Sequence, residues 1–169
     1  MRKAATSFVL AAVTAGTMTA VATPAGAASQ AGNPYAHTRL ERVWANNVCL
    51  SMGGSTKNNA RLVVGKCSRT DKTQRWTLKR LQSGGSVFTI RNDKSGKCLA
   101  LDSASHVVQY TCKPSSKNHQ WWLASSHIVN VAKNKSLASN STRAGSKPYL
   151  EKTDWNGRAG RVRQEWGLS

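Results

Sequence analysis

The chain is expected to fold as an all-β domain of three repeated units, on three observations. The tripeptide Gln-x-Trp occurs three times, as Gln74-Arg75-Trp76, Gln120-Trp121-Trp122 and Gln164-Glu165-Trp166. The three glutamines stand at steps of 46 and 44 residues, so one supersecondary unit recurs at nearly even spacing. Between the tripeptides lie short β-branched runs bounded by Gly, Asn and Ser, a pattern of strands and turns with little helix. Successive side chains on a strand face opposite ways, so the Gln and Trp of each copy share a face and the middle residue takes the other. Trp76, Trp122 and Trp166 are therefore expected in the core, where each indole buries on the order of 200 Å². Trp121 is expected to face outward.

Each unit carries more than its closing tripeptide. The first runs Asn47-Val48-Cys49-Leu50-Ser51, then Leu62-Val63-Val64-Gly65-Lys66-Cys67, then its Gln-x-Trp. The second runs Gly96-Lys97-Cys98-Leu99-Ala100, then Val107-Val108-Gln109-Tyr110-Thr111-Cys112. In the third, Ser136 and Thr153 stand where the others have cysteines. Strand candidates in order are residues 42–44, 61–64, 87–90, 107–110 and 127–131. Turn clusters such as Met52-Gly53-Gly54-Ser55, Gln82-Ser83-Gly84-Gly85 and Asn92-Asp93-Lys94-Ser95-Gly96 separate them. A closed set of such hairpins also hides strand edges from other chains.

With these residues in view, the chain resembles the ricin B-type lectin domain, whose repeats read Cys-Leu-Asp, Cys and Gln-x-Trp. The resemblance covers residues 40–169. It implies a β-trefoil of three Gln-x-Trp repeats, non-catalytic carbohydrate binding, and disulfides formed within a repeat. Sugar-binding lobes of that family carry an Asp two positions after the first Cys, an aromatic two before the second Cys, and an Asn directly before the Gln. The carboxylate and amide hold hydroxyls while the ring takes the C–H face of the sugar. Here the Asp position holds Ser51, Ala100 and Ala138, the aromatic position Gly65, Tyr110 and Glu151, and the Asn position Thr73, His119 and Arg163. No lobe has the full set, so degenerate sites are expected. The second lobe comes nearest, with Tyr110 in register and Asp102 and Asn118 close to the expected places. Asp102, Gln109, Tyr110, Asn118 and Gln120 are the candidate carbohydrate-binding residues.

The first residues set the expected compartment. Met1-Arg2-Lys3, an uncharged stretch from Ala4 to Val21, and Ala25-Gly26-Ala27 read as a secretory signal peptide over residues 1–27. A flexible arm is expected over 28–39, and the domain over 40–169. Four cysteines allow three pairings. Spacing favours Cys49–Cys67 and Cys98–Cys112, and the resemblance implies the same local pairing. No Cys-x-x-Cys occurs, and the four histidines show no ligand spacing to the cysteines, so no metal or cofactor is expected.

Charge offers a further reading. The formal net charge is +18, and loss of Arg2 and Lys3 with the leader would leave +16. Such a field attracts anionic polymers in a salt-dependent way. Teichoic acids and acidic or sulfated glycans are candidate partners. Arg158, Arg161 and Arg163, with Trp155 nearby, form the candidate polyanion-binding cluster. A protein-interaction module with lost sugar sites, binding a co-secreted protein, is the remaining alternative. Specific nucleic-acid binding is not expected, since no signature of a nucleic-acid domain is present. Catalysis is not expected either, since no nucleophile elbow, HExxH or P-loop occurs.

Overall fold

A computed structural model describes residues 33–157 and 160–169, with the backbone alone described at Arg161. The leader over 1–27, the start of the expected arm and Arg158 lie outside the described residues. Among the described residues the strands are β1 Leu40–Arg42, β2 Val48–Ser51, β3 Ala60–Arg61, β4 Val63–Lys66, β5 Trp76–Arg80, β6 Val87–Asn92 and β7 Cys98–Leu101. They continue as β8 Val107–Tyr110, β9 Trp121–Ala124, β10 His127–Asn130, β11 Lys135–Ala138, β12 Tyr149–Lys152 and β13 Trp166–Leu168. All pairings are antiparallel; one sheet runs β13-β1-β2-β4 and the other β12-β11-β10-β9-β6-β7-β8-β3, with β5 added to β6.

The threefold repeat is visible in the register. Cys49 pairs with Gly65, Cys98 with Tyr110 and Ser136 with Glu151, which are the same stations of three hairpins. Each hairpin is followed by one short helical turn, at Lys72–Gln74, Lys117–His119 and Arg161–Gln164. Each turn leads into a strand through a fully buried tryptophan: Trp76, Trp121 and Trp166. Their indole N–H groups donate to the carbonyls of Leu50 (3.1 Å), Leu99 (2.9 Å) and Leu137 (2.9 Å), the central leucine of each hairpin's first strand. Three large rings thus fill the axis while their polar atoms stay bonded, as a buried indole requires.

This corrects the expected frame of the second unit. Trp121 is the core residue and Trp122, expected inside, is 39% exposed. The Trp-Trp doublet offered two frames, and the strand's alternation lets only one ring face the core. The buried tryptophans are each 45 residues apart, more even than the glutamine steps suggested. Two fully buried asparagines repeat the same frame. Asn92 Nδ2 donates to the carbonyls of Thr73 and Arg75, and Asn130 Nδ2 to those of Asn118 and Gln120. Asn118 is therefore the counterpart of Thr73, and His119 the counterpart of Gln74.

Both disulfides form within a repeat, Cys49–Cys67 and Cys98–Cys112. At the matching stations of the third unit, Ser136 Oγ donates to Thr153 Oγ1 at 2.9 Å. The described part of the expected arm makes contacts with the trefoil. Residues 33–39 are tied down: Asn33 Nδ2 donates to the Leu78 carbonyl, Thr38 bridges to Trp76, and the Tyr35 ring meets Phe88 edge-on at 5.5 Å. Tyr35 supplies the apolar contact that the polar composition of this stretch concealed.

Candidate functional site

The corrected frame allows the three lobes to be compared at equivalent atoms. In the first, Ser51 Oγ and Thr73 Oγ1 lie 3.0 Å apart, and Thr73 Oγ1 donates to Asp71 Oδ2 at 2.7 Å. Short hydroxyls fill the place of the longer acid and amide, and Gly65 offers no ring. In the third, the stations of the ring and the amide hold Glu151 and Arg163, and Arg163 Nε donates to Glu151 Oε1 at 3.1 Å. Tyr149 Oη donates to the same carboxylate at 3.4 Å. Burial, then the Glu151 charge, push the Tyr149 hydroxyl up from its ordinary range. The hydrogen bond that Arg163 donates to Glu151 holds the guanidinium more firmly protonated.

The second lobe is open. Asp102, Tyr110, Lys113, Asn118 and His119 line a cleft of about 340 Å³ with Asn59 at its edge. Tyr110 comes from the end of β8, Asp102 from the turn after β7, and Asn118 from the helical turn that Asn130 pins. The carboxamide of Asn118 has no partner among the described residues. Asp102 closes its own hairpin: Oδ1 accepts the His106 amide at 2.8 Å and Oδ2 lies 2.9 Å from His106 Nδ1. Burial alone would raise the Asp102 carboxyl, but the bonds from the His106 amide and ring outweigh it and hold the carboxyl below its ordinary range.

His119 marks a departure that the Gln-x-Trp frame concealed. In the first lobe the Gln74 amide clasps the loop after the hairpin, taking the Ser68 N–H at 2.8 Å and donating to the Lys66 carbonyl at 2.8 Å. Gln164 does the same with Asp154 and Lys152 at 2.8 Å each. His119 occupies that station buried, with Nδ1 unpartnered. Burial and then the Lys113 charge lower its affinity for a proton below the ordinary value of 6.5. The sign follows. Below about pH 6.5 the unfolded chain takes a proton that folded His119 resists, so stability falls as pH falls through that window. His119→Gln should remove this acid-side loss and restore the clasp, a gain of about 1 kcal/mol at neutral pH. Thermal unfolding of both forms at pH 7.5 and 5 checks it; equal slopes with pH would contradict it.

A model of the ricin-type beta-trefoil lectin domain matches residues 36–166. The chain belongs to this lectin family. Its fold is that of several solved structures. ThreeFoil, a designed 3-fold symmetric protein, is 23% identical, with 78% of this chain and 96% of that one covered at a TM-score of 0.67. The earthworm R-type lectin C-half, solved with GalNAc, is 14% identical over 79% and 98% at a TM-score of 0.61. The Polyporus squamosus lectin, solved with Neu5Aca2-6Galb1-4GlcNAc, is 11% identical at a TM-score of 0.65, over 79% of this chain and 48% of that one. The trefoil thus spans about half of the Polyporus squamosus lectin. No match is found among curated proteins.

Two residues expected at the lectin site lie elsewhere in the trefoil. Gln109 is fully buried, its Nε2 donating to the Ser55 carbonyl, on the opposite face of β8 from its neighbour Tyr110. Gln120 Nε2 donates to the Pro114 carbonyl at 2.8 Å and lines a separate cleft without an aromatic ring or a charge. Of the arginine cluster, Arg163 is the one whose side chain is described, and it is paired with Glu151. Trp155 meets the exposed Trp122 at 5.6 Å and His127 at 5.1 Å, a surface aromatic group outside the sugar stations of the lobes.

Proposed function

We propose that this trefoil lectin is a secreted, non-catalytic module that binds a glycan through its second lobe. The observation that carries this reading is the convergence of Tyr110, Asp102 and Asn118 on one cleft. The equivalent stations of the other lobes hold Gly65 with a hydroxyl pair, or a closed Arg163–Glu151 pair. An aromatic face with a few polar groups around it is what saccharide recognition needs. The leader-like segment at residues 1–27 and the two disulfides support export, since such bridges persist in oxidising compartments. The reading based on charge alone draws less support, because Arg163 is occupied by Glu151.

Binding to a broad array of glycans and cell-wall polymers tests the proposal. Wild type should bind a saccharide class, and Tyr110→Ala should reduce that binding at least tenfold without moving the melting temperature, since Tyr110 is a cleft residue and not a core one. Silence across the array, or binding indifferent to Tyr110→Ala, would refute it.

A further inference from the structure

Lys113 changes what the second-lobe cleft can accept. Its Nζ stands over the Tyr110 ring, 5.4 Å from the centroid, which is the separation of a cation–π contact. Lys113 has no carboxylate partner among the described residues. The other cleft charge, Asp102, is engaged by the His106 amide and ring. The station where the family places its sugar-reading acid holds Ala100, which is fully buried. The cleft therefore has an aromatic face, an unpaired amide at Asn118, and one ammonium group without a counter-charge.

A neutral sugar laid on Tyr110 has to displace that ammonium, giving up its cation–π contact with the ring, and offers it nothing in return. A sugar bearing a carboxylate displaces it as well, but gives the ammonium a new partner in exchange, through a charge-assisted hydrogen bond. The strongly positive chain draws such a ligand in from a distance. Asp102 opposes an anion, but its two oxygens are already taken by His106. Resting on the second-lobe reading above, we propose that the saccharide bound in this cleft is acidic, a uronic-acid residue whose carboxylate pairs with Lys113 while its ring lies against Tyr110.

The test compares oligogalacturonate with neutral galacto-oligosaccharide of equal length, titrated by calorimetry into wild type, Lys113→Met, Lys113→Arg and Tyr110→Ala. Wild type should prefer the uronate at least tenfold at about 0.05 M salt, with the preference shrinking at about 0.5 M as the charges are screened. Lys113→Met should bring the two ligands to near parity, Lys113→Arg should keep most of the preference, and Tyr110→Ala should lose both. Lys113 is exposed, so these changes leave the fold intact. Equal binding of the two ligands by wild type, with Tyr110 required, overturns the acidic-sugar assignment and leaves the second-lobe reading standing. A uronate preference that survives Lys113→Met, or uronate binding that survives Tyr110→Ala, also overturns the assignment. Binding of neither ligand overturns both.

Discussion

Trp121→Ala is expected to destabilise the domain by about 3–5 kcal/mol, the range for emptying a large aromatic site in a packed core. The neighbouring Trp122→Ala should cost less than about 1 kcal/mol, as an exposed ring does. Trp121 fills one third of the axial core and its indole N–H satisfies the Leu99 carbonyl, so truncation leaves both a void and an unpaired acceptor. Trp122 packs at the surface against Trp155. Urea unfolding of the two variants separates them. Equal losses would mean that the doublet shares the core, and a larger loss at Trp122 would reinstate the frame read from Gln120.

Converting the hydroxyl pair of the third lobe into a disulfide should bring a large gain in stability. Ser136 and Thr153 occupy the stations of Cys49 with Cys67 and of Cys98 with Cys112, on hairpins of the same register. Their oxygens are already 2.9 Å apart, and the two native bridges span Cα distances of 5.0 and 4.9 Å. Ser136→Cys with Thr153→Cys should form the bridge and, on the chain-entropy account of a loop this size, stabilise by about 3 kcal/mol. The gain should vanish on reduction, and amide exchange in the third lobe, expected to be the fastest of the three before the change, should slow toward that of its siblings. A bridge that forms without raising stability would show that the hydroxyl pair was already as good a clasp.

The threefold plan was legible because its signals are short and local. The hairpin cysteines, the Leu beside each, and Trp76 and Trp166 all carry their stations in the sequence. The second unit misled because Gln120 completes a perfect Gln-x-Trp with the wrong tryptophan. The even step of 45 residues between Trp76, Trp121 and Trp166 was the better guide, since structural repeats conserve core stations and tolerate a changed clasp. That single slip moved Asn118 out of its frame and placed His119 in it. Gln109 could have been excluded from its position alone, because the residue before Tyr110 on a strand faces the other way. Likewise, the opposite charges of Glu151 and Arg163 at paired stations announced their union, but counting arginines as a cluster obscured it. Tyr35 and Lys113 carried no signal of their own, because each acquires its role from a ring brought close by the fold.

The pairing of β1 with β13 has a kinetic meaning. Leu40 lies against Leu168 and Arg42 against Trp166, contacts between residues more than 120 positions apart. The Arg42 guanidinium then donates to the carbonyls of Ser139 and Val162, inside the lobe that lacks a covalent bridge. Burial lowers the proton affinity of this arginine from its ordinary value, and Trp166 receives its charge across the ring face at 5.8 Å. The third lobe is thus fastened by a strand that lies far from it in the sequence. Such distant closures carry the loop entropy of nearly the whole domain. The first two lobes can condense around their own disulfides while the third waits for residue 42, and under strain the clasp at Arg42 is where the ring of lobes would part.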